Sequence, residues 1–141
     1  MAADFKAIGY RLPTEAEWEY IARGANSSSD IYSGDSSIGW VAWHYGNSDN
    51  KSHEVKTKPK ANSLGIYDMS GNVSEFCWDW FGSISPSTEA TGSATGTNRV
   101  SRGGSWGSFV EKDCSVNYRE ESITPYKRFV TSGFRVVRNA L

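Results

Sequence analysis

Three shortages bound what this chain can be. It has almost no net charge, a formal −1 from 15 basic and 16 acidic residues, so there is no electrostatic case for nucleic acid or an anionic membrane as partner. It has no apolar run near the roughly 20 residues of a membrane span, and Met1-Ala2-Ala3-Asp4-Phe5 does not read as a secretory leader. It has two cysteines, Cys77 and Cys114, too few for a disulfide framework or a zinc pattern. They either pair with each other or stay as buried reduced thiols. His44 and His53 have no ligand-like spacing to each other or to a cysteine. What remains is aromatic and small: six tryptophans, seven tyrosines and 14 glycines in 141 residues. Few long periodic stretches accompany them, so short strands and much ordered loop are expected within one domain, 1–141.

The densest stretch runs from Asn62 to Trp80. Gly65 and Gly71 permit backbone turns that a Cβ would obstruct. Asp68, Asn72 and Glu75 offer oxygens within eight residues, and Phe76, Trp78 and Trp80 alternate as in a strand. Such a stretch is either a buried polar hub or a cation site wrapped in core.

Other elements follow in order. Residues 2–8 suit one short helix stopped by Gly9. From Thr14 to Gly24 the signals of a helix converge: Thr14 and Glu17 form a capping box, Glu15, Glu17 and Glu19 lie near the positive end, and Arg23 near the negative one. Trp18, Ile21 and Ala22 share its inward face. Residues 25–39 read as surface loop, and Lys56 to Lys60 as a solvated basic connection. Residues 82–98 read as a mobile loop. Strand character returns at Arg99 to Trp106 and, at the end, at Gly133 to Arg138.

Three blocks, Tyr10-Arg11-Leu12-Pro13-Thr14-Glu15-Ala16-Glu17-Trp18, Leu64-Gly65-Ile66-Tyr67-Asp68-Met69-Ser70-Gly71-Asn72-Val73-Ser74-Glu75-Phe76 and Arg102-Gly103-Gly104-Ser105-Trp106 closed by Gly133-Phe134-Arg135, together resemble the formylglycine-generating enzyme (sulfatase-modifying factor) family. The resemblance implies an α+β C-type lectin fold of that type. Two departures stand out: only nine residues precede the block that opens at Tyr10 with Tyr-Arg-Leu-Pro-Thr-Glu, and Ser74 stands where the family most often has tryptophan. The resemblance also implies copper-dependent oxidation of a peptide cysteine by two thiolates. Here the first thiolate position is Ser108 and the second is Asp113, with Cys114 one residue beyond. Soft thiolate pairs suit Cu(I) and one cannot make the site. No copper is therefore expected, and Cys114 should pack inward as a small hydrophobe. An enzyme of that type is the alternative function, and an inert carbohydrate-binding relative another.

The segment from Gly107 to Ser132 further resembles the variable region of proteins diversified by diversity-generating retroelements, which use this fold as a scaffold. Randomised asparagine codons can become the residues at Gly107, Ser108, Phe109, Asn117, Tyr118, Ser122, Ile123, Tyr126, Phe129, Val130 and Thr131. These alternate with residues expected to be fixed: Trp106, Cys114, Val116, Arg119, Pro125, Gly133 and Phe134. Independently of any relative, bulky apolar side chains in irregular backbone among Ser, Gly and Asn have the composition of a binding surface. The reading is a non-catalytic, receptor- or adhesin-like protein with a variable ligand-binding region at about 101–132. Its partner would be a protein or cell-surface ligand, and the resemblance points to a cell or virion surface. Trp18, Trp78, Trp80, Trp106 and Phe134 are expected to hold the frame.

The resemblance implies a structural calcium ion as well, held by the side chains of Asp68 and Glu75 and the carbonyls of Gly71 and Val73. Hard oxygen ligands of that mixture suit calcium. The ion-free alternative has Asp68 and Asn72 in Asx turns and Glu75 paired with an arginine.

Overall fold

The computed structural model describes residues 5, 7–25, 28–84, 91–93 and 95–139, without the side chains of 121–123. Residues 2–4 and 6 of the expected helix at 2–8 and the middle of the expected loop at 82–98 lie outside the described residues; residues 5, 7 and 8 are turn and bend rather than helix.

Helix α1, Glu15–Ala22, forms where its caps dictate. Thr14 Oγ1 accepts from the Glu17 N–H at 3.1 Å while the Glu17 carboxylate accepts from the Thr14 N–H at 2.8 Å, satisfying two orphan donors at once. Gly24, at φ +69°, ends it. Trp18 and Ala22 are fully buried, and the half-buried Ile21 packs against them.

Among the described residues four strands form one sheet: β1 Ser74–Trp80, β2 Arg99–Arg102, β3 Arg119–Ile123 and β4 Ser132–Phe134, in the order β3-β2-β1-β4. β2 runs antiparallel to both neighbours and β4 parallel to β1. Past β4, Val137 pairs with Arg11 through reciprocal backbone bonds of 3.0 and 2.9 Å. One core gathers Trp18, Ala22, Met69, Cys77, Val100 and Val116 between helix and sheet. A second holds Tyr32, Val41, Ala42 and Cys114 under the loops. Both cysteines are free and buried.

Several expectations are corrected here. Along β1 the buried residues are Ser74, Glu75, Cys77 and Asp79, whereas Phe76, Trp78 and Trp80 are only half-buried. Alternation specifies two faces without saying which one meets the helix. Trp18 fills the space under β1, leaving room there for a thiol rather than an indole. Phe134 is 70% exposed and is no part of the core; Trp106 is half-buried. The segment 25–39 is not all surface, because Tyr32 and Ser33 are buried. Lys58 is buried too, although its neighbours are solvated. Its Nζ lies 3.8 Å from the centre of the Trp43 ring and donates to the Gly39 carbonyl at 3.1 Å, so a cation–π contact replaces much of its hydration. Burial lowers its pKa.

The Asn62–Trp80 stretch is indeed where the chain converges. At Gly71 (φ +72°) a Cβ would lie 2.3 Å from the Trp43 carbonyl oxygen, so only glycine fits. Around that point the Gly71 N–H donates to Gly103, the Asn72 N–H to Trp43, and the Trp106 N–H to Asn72, each at 2.7 Å. Two separate loops, at Trp43 and at 103–106, are thus fastened to one turn.

Candidate functional site: an exposed carboxyl-terminal surface

The candidate surface begins where β2 ends. Gly103 and Gly104 turn the chain at φ +90° and +65°. A Cβ on Gly104 would meet the Asp113 carbonyl at 2.6 Å and Cys114 Sγ at 2.8 Å. The backbone then passes Trp106 to Phe109, makes a 3-10 turn at Glu111–Cys114 and enters β3.

Buried groups pin this irregular path. Cys114 and Val116 are inside, and the Val116 N–H donates to Ile31. Arg102, at the end of β2, is buried; its Nη1 donates to Glu15 Oε1 at 2.8 Å and its Nη2 to Glu19 Oε2 and the Val116 carbonyl, each at 2.6 Å. Arg119 grips the other side of Glu15, at 2.5 and 2.8 Å, and donates to the Gly82 carbonyl. Burial of this kind needs the charges matched, since an unpaired charge inside is costly; both terminal nitrogens of Arg102 are engaged, and its buried Nε is left without a partner. Composition gave no hint of this network.

Between the pins the expected variable side chains face several ways. Phe109, Tyr126 and Val130 are 76%, 92% and 82% exposed, and Phe129 is exposed as well. Asn117 is exposed, its Oδ1 accepting from Ser115 Oγ at 2.8 Å. Tyr118 is half-buried, and burial raises its phenol pKa. Gly107, Ser108 and Thr131 are half-buried. Ser108 Oγ accepts from the Ser105 N–H at 2.9 Å, and the Thr131 carbonyl accepts from the Ser74 N–H. Ser122 and Ile123 lie in β3, and their side chains are outside the described residues. Of the residues expected to be fixed, Cys114, Val116 and Arg119 are anchors. Gly133 is packed 3.0 Å (from a built Cβ) against Val73 Cγ2, and Trp106 donates Nε1 to the Val130 carbonyl at 3.2 Å. Pro125 and Phe134 are exposed instead.

One member of the surface escaped the sequence reading. Tyr45, from the loop after Trp43, puts its ring 4.7 Å from that of Phe109, tilted by 46°. Its N–H donates to the Ser108 carbonyl at 3.2 Å, and the side chain is half exposed. The aromatic signal was visible at Tyr45; its neighbour was not.

The thiol chemistry of an oxidase is poorly served. Ser108 presents a hydroxyl at the first thiolate position, and Asp113 a carboxylate at the second. Burial raises the Cys114 thiol to about 12, against a hydrogen bond from Ser108 that pulls it down. A buried, protonated thiol is a poor nucleophile near neutrality.

The residues expected to hold calcium are engaged by other groups of the protein. Asp68 (φ +59°) and Asn72 (φ +65°) occupy left-handed turn conformations. Asp68 Oδ2 accepts from the Lys56 N–H at 2.8 Å, and its Oδ1 from Asn72 Nδ2 at 3.4 Å. Both Glu75 oxygens are taken: Oε1 by Arg135 Nη2 at 2.9 Å, Oε2 by Arg135 Nε at 3.0 Å and Trp18 Nε1 at 2.8 Å. Burial pushes the Glu75 carboxyl up, against the pull of Arg135. Asp68, Val73 and Glu75 line one cleft of about 360 Å³, but Arg135 lines it with them. As placed, these residues do not fit a calcium ion bound through Glu75. Among the described residues no group of three or more His, Cys, Asp and Glu side chains could hold a metal.

Among the described residues one α-helix, a mixed sheet and a long loop-rich carboxyl half held by buried ion pairs define an α+β, C-type lectin-like scaffold of the formylglycine-generating type. The chain belongs to the sulfatase-modifying factor enzyme 1-like domain family, whose sequence profile matches residues 2–140. Its structure is similar to that of Treponema denticola variable protein 1, with a TM-score of 0.85 and 42% identity over 94% of this chain and 49% of that one. Among curated relatives, the formylglycine-generating enzyme of Streptomyces coelicolor is 36% identical over 94% of this chain and 48% of its own. Chaperone protein LppX of Paenibacillus barcinonensis is 44% identical over 74% of this chain and 41% of its own. The chain spans less than half the length of each. Among the described residues no helix is long and apolar enough to cross a membrane.

Proposed function

We propose that this chain is a non-catalytic binding protein that displays a diversified carboxyl-terminal surface on a formylglycine-generating-type C-type lectin scaffold. The observation that carries it is the pairing of opposites within residues 107–131. Phe109, Tyr126 and Val130 stand in solvent, while Cys114, Val116 and Arg119, between them in the chain, are held by the cores and by Glu15. Rigid aromatics on a fixed frame give contact area at low entropic cost. The likeness to a variable protein supports the reading, and calcium has no part in it. The enzymatic relatives motivate an oxidase as the second reading, but Ser108, Asp113 and the sequestered Cys114 offer no thiolate pair.

The test is natural variation. Sequencing this locus across many isolates of its source should reveal changes concentrated at 107–109, 117–118, 122–123, 126 and 129–131, with Cys114, Val116 and Arg119 constant. A near-identical template repeat and a reverse transcriptase gene should lie beside it. Changes scattered evenly over the chain, or stoichiometric Cu(I) binding with aldehyde formation on a cysteine peptide, would overturn the proposal.

A further inference from the structure

Resting on the binding function just proposed, we infer the chemistry of the partner: a polypeptide surface in which acidic side chains surround an apolar anchor. The anchor would seat at the Tyr45–Phe109 pair, and the carboxylates would face Lys127 and Arg128. Tyr45 thereby becomes a specificity-determining residue contributed from outside the carboxyl-terminal segment.

Three observations support this. First, the two loops form one surface. Tyr45 is joined to the 106–109 run by its ring contact with Phe109 and its backbone bond to Ser108. That run is joined to 130–131 by the Trp106–Val130 bond and by Thr131 Cγ2, 3.2 Å from where a Gly107 Cβ would be. Second, two of the polar side chains expected to vary are engaged internally: Ser108 accepts from Ser105 and Asn117 from Ser115. The side chains that stand outward at Phe109, Val110, Phe129 and Val130 are hydrocarbon. A sugar needs directed donors and acceptors, whereas a protein anchor needs a desolvated apolar seat. Third, Lys127 and Arg128 are exposed between the aromatic residues Tyr126 and Phe129, and among the described residues neither has an ion-pair partner. In a chain of net charge −1, this local excess is complementary to carboxylates and would steer an acidic partner. An anionic membrane is the weaker match, because such surfaces are recognised by clusters of about four to eight basic residues, and here Lys127 and Arg128 stand as a pair.

The test uses the full chain, immobilised, and a phage-displayed library of random linear peptides as probe. Selected peptides should combine Asp or Glu with a Trp, Phe or Leu, and binding of a synthetic copy should weaken with salt. Tyr45→Ala and the double change Lys127→Glu/Arg128→Glu should each weaken it by roughly tenfold or more with the unfolding midpoint unchanged. Charge reversal at two exposed positions guards against a Tyr45→Ala protein that fails to fold. Peptides that bind through Phe109 and Tyr126 with no acidic excess, or with indifference to both changes, would overturn this inference and leave the binding function standing. Failure to obtain any peptide whose binding depends on Phe109 or Tyr126 would overturn both. Sedimentation with phosphatidylserine vesicles that Phe129→Asp abolishes would replace the polypeptide partner with a membrane.

Discussion

Arg102 and Glu15 lie 87 residues apart in the chain and meet inside it, Nη1 to Oε1 at 2.8 Å. Arg119 holds the same carboxylate from β3, so both ends of the segment 102–119 are referred to one residue in the first turn of α1. Removing one member strands a buried charge, and Arg102→Ala is expected to destabilise the fold by about 3–5 kcal/mol in urea titration. Arg102→Lys should not restore it, because a single ammonium cannot serve Glu15, Glu19 and the Val116 carbonyl in a forked geometry. A loss within experimental error would refute the role of the network.

The exposed aromatics should behave oppositely. Phe109→Ala and Tyr126→Ala are each expected to change stability by no more than about 0.5 kcal/mol. Trp18→Ala, in the fully buried centre of the core, should cost about 3–5 kcal/mol. Comparable losses at all three positions would put the display residues in the core and remove the surface.

Acid stability should report the helix start. Arg11 holds the Glu17 carboxyl below its ordinary value, with the Thr14 N–H assisting. A carboxyl whose folded pKa is lowered contributes stability above the unfolded pKa and loses it as pH falls through the folded one. Wild-type protein should therefore lose more stability below about pH 4.3, the unfolded glutamate value, than Glu17→Gln, which can keep the capping box. Glu75 and Asp79, whose carboxyls are raised chiefly by burial, act with the opposite sign, gaining stability as pH falls toward the unfolded value. The difference between the two proteins isolates Glu17, and parallel pH profiles would contradict its assigned role.

Thiol accessibility separates display from oxidase chemistry. Burial pushes the Cys77 thiol well up and the Cys114 thiol to about 12. Neither should react with a disulfide reagent in native protein at mildly alkaline pH, and both should react once the chain is unfolded. Fast native labelling of Cys114 would revive the oxidase.

Local signals in the chain were sufficient wherever the physics is local. The capping box at Thr14 and Glu17 closes within one turn, and Gly24 ends the helix by its own freedom of φ. The strand at Ser74–Trp80 follows from alternation, and the inward packing of Cys114 from its small apolar side chain. Lys58 was not legible, because its burial depends on Trp43 being placed beneath it. Neither was Phe134, which the sequence pattern suggested for the core but the edge position of β4 leaves in solvent. The cation partner of Glu75 was anticipated only as one of two alternatives, and the position of Arg135 favours the guanidinium.

The sequence by itself determined the capped helix that follows Thr14, short strands, the family's three blocks and an apolar, irregular carboxyl segment lacking a thiolate pair. Only the tertiary structure decided which face of β1 meets the helix, that Glu15 unites Arg102 and Arg119, and that Tyr45 stands beside Phe109. Those outcomes depend on which distant groups can exclude water together, and a side chain's burial or charge pairing is a property of that shared space rather than of its neighbours in the chain.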